Sequence, residues 1–262
     1  MALPASVEDV RPFELARRSI AGELPLRYQR KLEYSFHQRI DAAMTPGMRI
    51  LDVGSGRLPC RTPDARPRDC HYVGLDISAT ELETAAPGSY DECVVADIAG
   101  PRDEHLVGQF DLVVSFQVLE HVRPIDVALR NMHAYLRPGG RIVAQMSGTF
   151  APFSLLGKVM PQRPKVWLLS TLLDREPAEI FPAHYDRCYA SALRRMTEDW
   201  GDVDIVPLHR GASYLHFSKM LRAGYLVYER ALTRRGLDDL AAYFIVEATS
   251  RRGTRRRAGD TS

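Results

Sequence analysis

The chain has 262 residues, 45% hydrophobic and 26% charged, with 18 Gly, 17 Pro and a formal net charge of +2. Those proportions exclude a disordered chain, a collagen and a disulfide-stapled miniature, and the length can bury a substantial core without crosslinks or metals. Cys60, Cys70, Cys93 and Cys188 form no CxxC pair and no histidine stands at zinc-site spacing, so the expectation is reduced thiols, no metal and a cytoplasmic protein.

The first residues, MALPASVEDVRPFELARR, carry acids early and have no continuous apolar core. They read as an extension over 1–25 and not as a signal peptide. No apolar run approaches the roughly 18 residues of a membrane span. Residues 26–43 contain no Gly or Pro and place Leu26, Leu32, Phe36 and Ile40 at helical spacings, which predicts one helix before the turn at Thr45-Pro46-Gly47. Short β-branched runs follow at 48–53, 71–76, 92–97, 110–116 and 140–146, mostly continuous in apolar character, as parallel strands buried on both faces are. A helix is predicted over 118–136, with Pro124 marking a turn or kink near its start and Arg137-Pro138-Gly139-Gly140 ending it. Runs at 203–208 and 242–248 bring the count to a seven-stranded sheet in a doubly wound α/β domain over 26–250.

Residues 148–186 and 211–240 are long inserts rich in apolar side chains, among them Phe150, Phe153, Met160, Trp167 and Leu172. They are expected to pack as helical lids near the sheet, where α/β proteins build pockets. Residues 251–262 hold five arginines against one acid, a net +4 that leaves the rest of the chain at −2. This end reads as a basic, disordered tail. A slightly acidic body argues against a nucleic-acid partner, and peripheral contact with anionic lipid stays open for the tail and for the aromatic helix expected at 214–232.

The chemistry concentrates after the first strand. Asp52-Val53-Gly54-Ser55-Gly56 is a glycine turn at the carboxyl end of a parallel strand, where such folds bind ligands. Twenty residues beyond Gly56, Asp76 ends the second strand, the place from which an acid accepts both hydroxyl protons of a ribose. The third glycine of a dinucleotide fingerprint is replaced by Pro59, and Pro63 and Pro67 prevent a regular long helix after the turn. A pyrophosphate is therefore disfavoured. Asp52 and Asp97 also admit a purely local use as turn or strand-end acids.

ILDVGSG (50–56), VGLDIS (73–78), VVADI (94–98), FDLVVSFQVLEHV (110–122) and LRPGGRIVAQ (136–145) resemble, in order and spacing, the motifs of class I S-adenosylmethionine-dependent methyltransferases, in the small-molecule and quinone-type subgroup. The resemblance implies a Rossmann-like sheet whose last strand, AYFIVEA, is antiparallel. It implies S-adenosyl-L-methionine as cofactor: Gly54 and Gly56 flanking the methionine part, Asp52 helping to orient it, and Asp76 on the ribose. Ile77 then packs on the adenine, Asp97 and Ile98 address its edge, and Gln117 borders the methionine end. Gly54→Val is expected to exclude the cofactor and spare the sheet.

A methyl on a sulfonium is already activated, so the protein has mainly to align a nucleophile and exclude water. A base is needed only for an acceptor that is protonated at neutral pH. His121, His184 and Tyr185 are the candidate catalytic groups, with Glu120 read as a helix-start acid. The expected function is methyl transfer to a small-molecule or lipid-like acceptor. A nicotinamide-dependent oxidoreductase and a non-catalytic binding module of the same fold are the alternatives.

Overall fold

The structure, a computed structural model, describes residues 11–151, 154 and 183–251. Seven strands, β1 (Arg49–Val53), β2 (His71–Asp76), β3 (Glu92–Val95), β4 (Phe110–Phe116), β5 (Leu136–Ser147), β6 (Asp202–Leu208) and β7 (Tyr243–Thr249), form one sheet in the order β3-β2-β1-β4-β5-β7-β6. β7 runs antiparallel to both its neighbours, and every other pairing is parallel. The reversed last strand is the one anticipated from the family resemblance. Chain order reverses between β1 and β4, so a crevice opens beyond their carboxyl ends.

The continuous apolar runs are buried on both faces, as their composition requires. Leu51, Val53, Val113 and Ile142 face the helices α5 (Ile125–Tyr135) and α6 (Ala190–Met196), meeting Leu129, Met132 and Leu193. Ile50, Leu112, Val114 and Val143 face α3 (Tyr34–Ala43), meeting Phe36, Ile40 and Ala43. β2 is followed by the short α4 (Ala79–Glu83), whose first turn is capped by the Ser78 hydroxyl accepting the Glu81 N–H.

Three elements differ from expectation. The helix predicted over 26–43 is broken into α2 (Leu26–Gln29) and α3. Arg30 is extended, and the Arg210 guanidinium donates to the carbonyls of Arg30 and Lys31. The helix predicted over 118–136 is divided into a 3-10 turn, Leu119–His121, and α5, with Pro124 in extended conformation between them. Arg137-Pro138-Gly139-Gly140 follows directly on the end of α5, capped at Leu136, but is not a turn. It belongs to β5, where the pairing with β4 slips between Phe110 and Leu112.

Helix α1 (Pro12–Ile20) packs on α7 (Lys219–Arg234), Leu15 meeting Ala212 and Leu226. Beneath this pair Glu229, 1% exposed, accepts from the Tyr28 hydroxyl, the Gly211 N–H and Arg27. The first helix of the extension and the second insert thus share a core. Of the first insert only the two ends are described, Phe150 lying against Tyr189. Phe153, Met160, Trp167 and Leu172, like the tail beyond Arg251, lie outside the described residues. Among the described residues no helix is long and apolar enough to cross a membrane.

Candidate functional site

A cleft of about 650 Å³ lies at the carboxyl ends of β1, β2, β3 and β4. Gly54, Gly56, Asp76, Ile77, Asp97, Ile98, Gln117, His121 and His184 all line it. Residues up to 130 positions apart in sequence meet because four parallel strands end on one side of the sheet.

The turn after β1 is built by backbone hydrogen bonds. The Gly54 N–H donates to the Leu75 carbonyl at 2.7 Å, and the Gly56 N–H donates to the Asp76 carboxylate at 2.9 Å. The other Asp76 oxygen accepts the Ser78 N–H at 2.9 Å. Asp76 is therefore both a wall of the cleft and the fastener of its glycine turn. Gly54 has φ +72, and a Cβ there would sit 2.4 Å from Val118. That corrects the expectation for Gly54→Val, which strains the protein itself. Gly56, at φ +49, has only ordinary contacts around an added Cβ, the nearest at 3.6 Å.

Asp52 does not line the cleft. It is fully buried, its carboxylate accepting the Cys60 N–H at 2.6 Å, the Cys60 thiol at 3.0 Å and the Tyr72 hydroxyl at 2.8 Å. It lies two residues along β1 from Ile50 and so shares its face, on the α3 side of the sheet. Burial raises its pKa, and the three donors oppose that rise. In this structure the Asp52 carboxylate fastens the proline-rich loop, which holds a single 3-10 turn, Pro63–Ala65.

Ile77 is 70% exposed, an apolar side chain on the cleft wall open to a flat partner. Asp97 is exposed and accepts the Ala99 N–H, fixing the bend after β3. The Ile98 side chain belongs to the main core, which leaves its backbone for any ligand contact. Gln117 has φ +56, a left-handed conformation that costs a non-glycine residue about 1 kcal/mol. Its amide oxygen accepts the Ser147 hydroxyl at 2.8 Å, and its buried Nε2 has no partner.

His121 and His184 stand on the cleft wall, and Tyr185 does not. Tyr185 is half-buried, and burial pushes its phenol up to about 12. It remains protonated at neutral pH and can donate a hydrogen bond, but it is no resting base. Glu120, read from sequence as a helix-start acid, is 3% exposed within the 3-10 turn. Its carboxylate accepts the Ser147 N–H, and its backbone carbonyl accepts the N–H groups of both His184 and Tyr185 at 2.9 Å. Burial raises its carboxyl pKa, countered by His121. One residue thereby ties β5 and the end of the first insert to the turn that carries His121. Among the described residues no His/Cys/Asp/Glu group could hold a metal ion.

The sheet order and the reversed β7 are those of the Rossmann-like methyltransferase fold, with the glycine turn and Asp76 at its β1–β2 crevice. Residues 51–142 match the family described as a methyltransferase domain. The ubiquinone biosynthesis O-methyltransferase of Chelativorans sp. (strain BNC1) is 34% identical over 113 residues, which are 42% of this chain and 44% of that relative. The corresponding protein of Mesorhizobium japonicum is 33% identical, over 42% of this chain and 45% of its own length. The chain thus spans less than half the length of the curated relatives it matches. Among solved structures, the fold is similar to that of the (4+2)-cyclase SpnF (TM-score 0.52, 18% identity, 92% of this chain and 93% of that one). It is also similar to a Haemonchus contortus phosphoethanolamine N-methyltransferase (TM-score 0.51, 14% identity, 83% and 52%).

Proposed function

We propose that the protein binds S-adenosyl-L-methionine in the β1–β4 cleft and transfers its methyl group to a small-molecule or lipid-like acceptor. The observation that carries this reading is Asp76: a carboxylate on the cleft wall, fixed by the Gly56 and Ser78 N–H groups, beside an apolar Ile77 left open. The residues fit a nucleoside, whose hydroxyls meet the acid and whose base meets the isoleucine. Gly54 and Gly56 let the backbone pass close to the amino-acid arm, with the Gln117 amide at the far end.

When bound, the sulfonium supplies an activated methyl group. The chain's own residues then align an acceptor and exclude water around it. His121 and His184 are the groups on the cleft wall able to take a proton from a hydroxyl or phenol acceptor, with Tyr185, a protonated phenol, next to His184 behind that wall. The relatives' names favour an oxygen acceptor on a ring-bearing, lipid-like molecule. The fold alone does not fix the reaction, since one neighbour is named a cyclase.

Calorimetric titration with S-adenosylmethionine, S-adenosylhomocysteine and NADH tests the cofactor. Binding of the two sulfur nucleosides alone is expected; binding of NADH with no response to either of them overturns the reading. Transfer of labelled methyl to phenolic acceptors of increasing chain length then tests the acceptor class.

A further inference from the structure

A second cavity, of about 440 Å³, lies where the carboxyl end of β6 meets α2, the start of α3 and the end of α7. It shares no lining residue with the cleft above. Its volume is that of a small-molecule site. Leu26, Leu32, Tyr34 and Leu208 give it apolar walls, Arg27, Arg30 and Arg210 give it three cations, and no carboxylate lines it.

The three charges are not equally satisfied. Arg27 is paired with the buried Glu229 at 3.1 Å. Arg210 donates only to carbonyl oxygens, of Arg30 and Lys31, which position the guanidinium without neutralising it. Arg30 lies 4.3 Å over the Tyr34 ring, and among the described residues neither Arg30 nor Arg210 has an acidic partner within ion-pair distance. Stacking on a ring uses the face of a guanidinium and leaves its N–H edge for a ligand.

His209 lines the cavity, is 9% exposed, and its Nδ1 is buried with no hydrogen-bond partner. Such a nitrogen is costly to leave unpaired. Asp238, the acid nearest in influence to His209, is engaged by Arg194 at 3.0 Å.

We propose that this cavity is a second ligand site, for a small carboxylate with an apolar body. Arg30 and Arg210 hold the carboxylate, and Leu26, Leu32 and Leu208 take the apolar part. The site is independent of the methyl-transfer reading. Its occupant bridges the extension side of the molecule, through α2, to the second insert, through Arg210 and α7.

The test uses benzoate as probe, with benzamide as its neutral counterpart and inorganic phosphate as an anion without an apolar body, titrated by calorimetry at low ionic strength. Loss of a charge-assisted pair is expected to make benzamide at least about tenfold weaker than benzoate, and Arg30→Gln to weaken benzoate by a similar factor. Arg30 is exposed, its carbonyl accepts from Arg210 whatever the side chain, and its stacking on Tyr34 is at the surface, so the variant should keep its unfolding temperature. Benzoate binding should persist in saturating S-adenosylhomocysteine. No benzoate binding, equal binding of benzamide, displacement by S-adenosylhomocysteine, indifference to Arg30→Gln, or phosphate binding as tightly as benzoate would each overturn the proposal.

Discussion

Replacing Asp76 with alanine acts on two duties of one carboxylate, the ribose contact proposed above and the fastening of the glycine turn. Toward the cleft it removes two acceptors for ribose hydroxyls, each charge-assisted bond being worth about 1.5–3 kcal/mol. Toward the protein it frees the Gly56 and Ser78 N–H groups, both held at 2.9 Å. The side chain is partly exposed, so water can satisfy those N–H groups and screens the ribose bonds. A net loss of about 1.5–3 kcal/mol in cofactor binding follows, roughly ten- to 150-fold in Kd. To separate the duties, calorimetry on the wild type and Asp76→Ala should compare S-adenosylhomocysteine with its 2′,3′-dideoxyribose analogue. If the carboxylate acts on the hydroxyls, the penalty seen with the parent ligand shrinks to less than about threefold with the analogue, as a coupling cycle requires. An equal penalty for both ligands, in a variant that remains folded, would refute the ribose assignment and leave Asp76 as a turn fastener only.

Gly54→Ala should cost about 2–4 kcal/mol, from its positive φ and the 2.4 Å approach to Val118, whereas Gly56→Ala should cost about 1 kcal/mol. Urea unfolding of the pair checks this, equal losses counting against it. Tyr185→Phe should lower kcat and leave the pH profile of kcat/KM between 6 and 9 in place, because the phenol sits near 12, and a profile displaced within that range would contradict it. Burial raises the Glu229 pKa, so the folded state holds that proton more tightly than the unfolded chain does. The stability of the wild type relative to Glu229→Gln should therefore fall as pH climbs from the ordinary carboxylate range through the raised value, and a rise over that window would contradict the assignment.

The sheet was legible because apolar runs without alternation leave few options but buried parallel strands, and the motif order carried the reversed β7. The place of Asp76 on the cleft wall was legible from spacing. The burial of Asp52 carried a signal too: two residues along a strand share a face, and Ile50 marks that face as the one under α3. The break between α2 and α3 was beyond local pattern, since the group that takes the carbonyls of Arg30 and Lys31 is Arg210, about 180 positions away. Glu120 was hidden for a related reason. Acids in a first turn are usually solvated, and only the packing of β5 and the 183–185 segment around it makes this one interior.

The two ends of the first insert are pinned to each other where they leave the sheet. The Thr149 N–H donates to the Cys188 carbonyl at 2.8 Å, the Thr149 hydroxyl donates to the Tyr185 carbonyl at 2.9 Å, and Glu120 holds the next two N–H groups. Both ends of the insert are therefore seated on the same frame that carries the glycine turn and His121, and a break at Thr149 would release the two ends together.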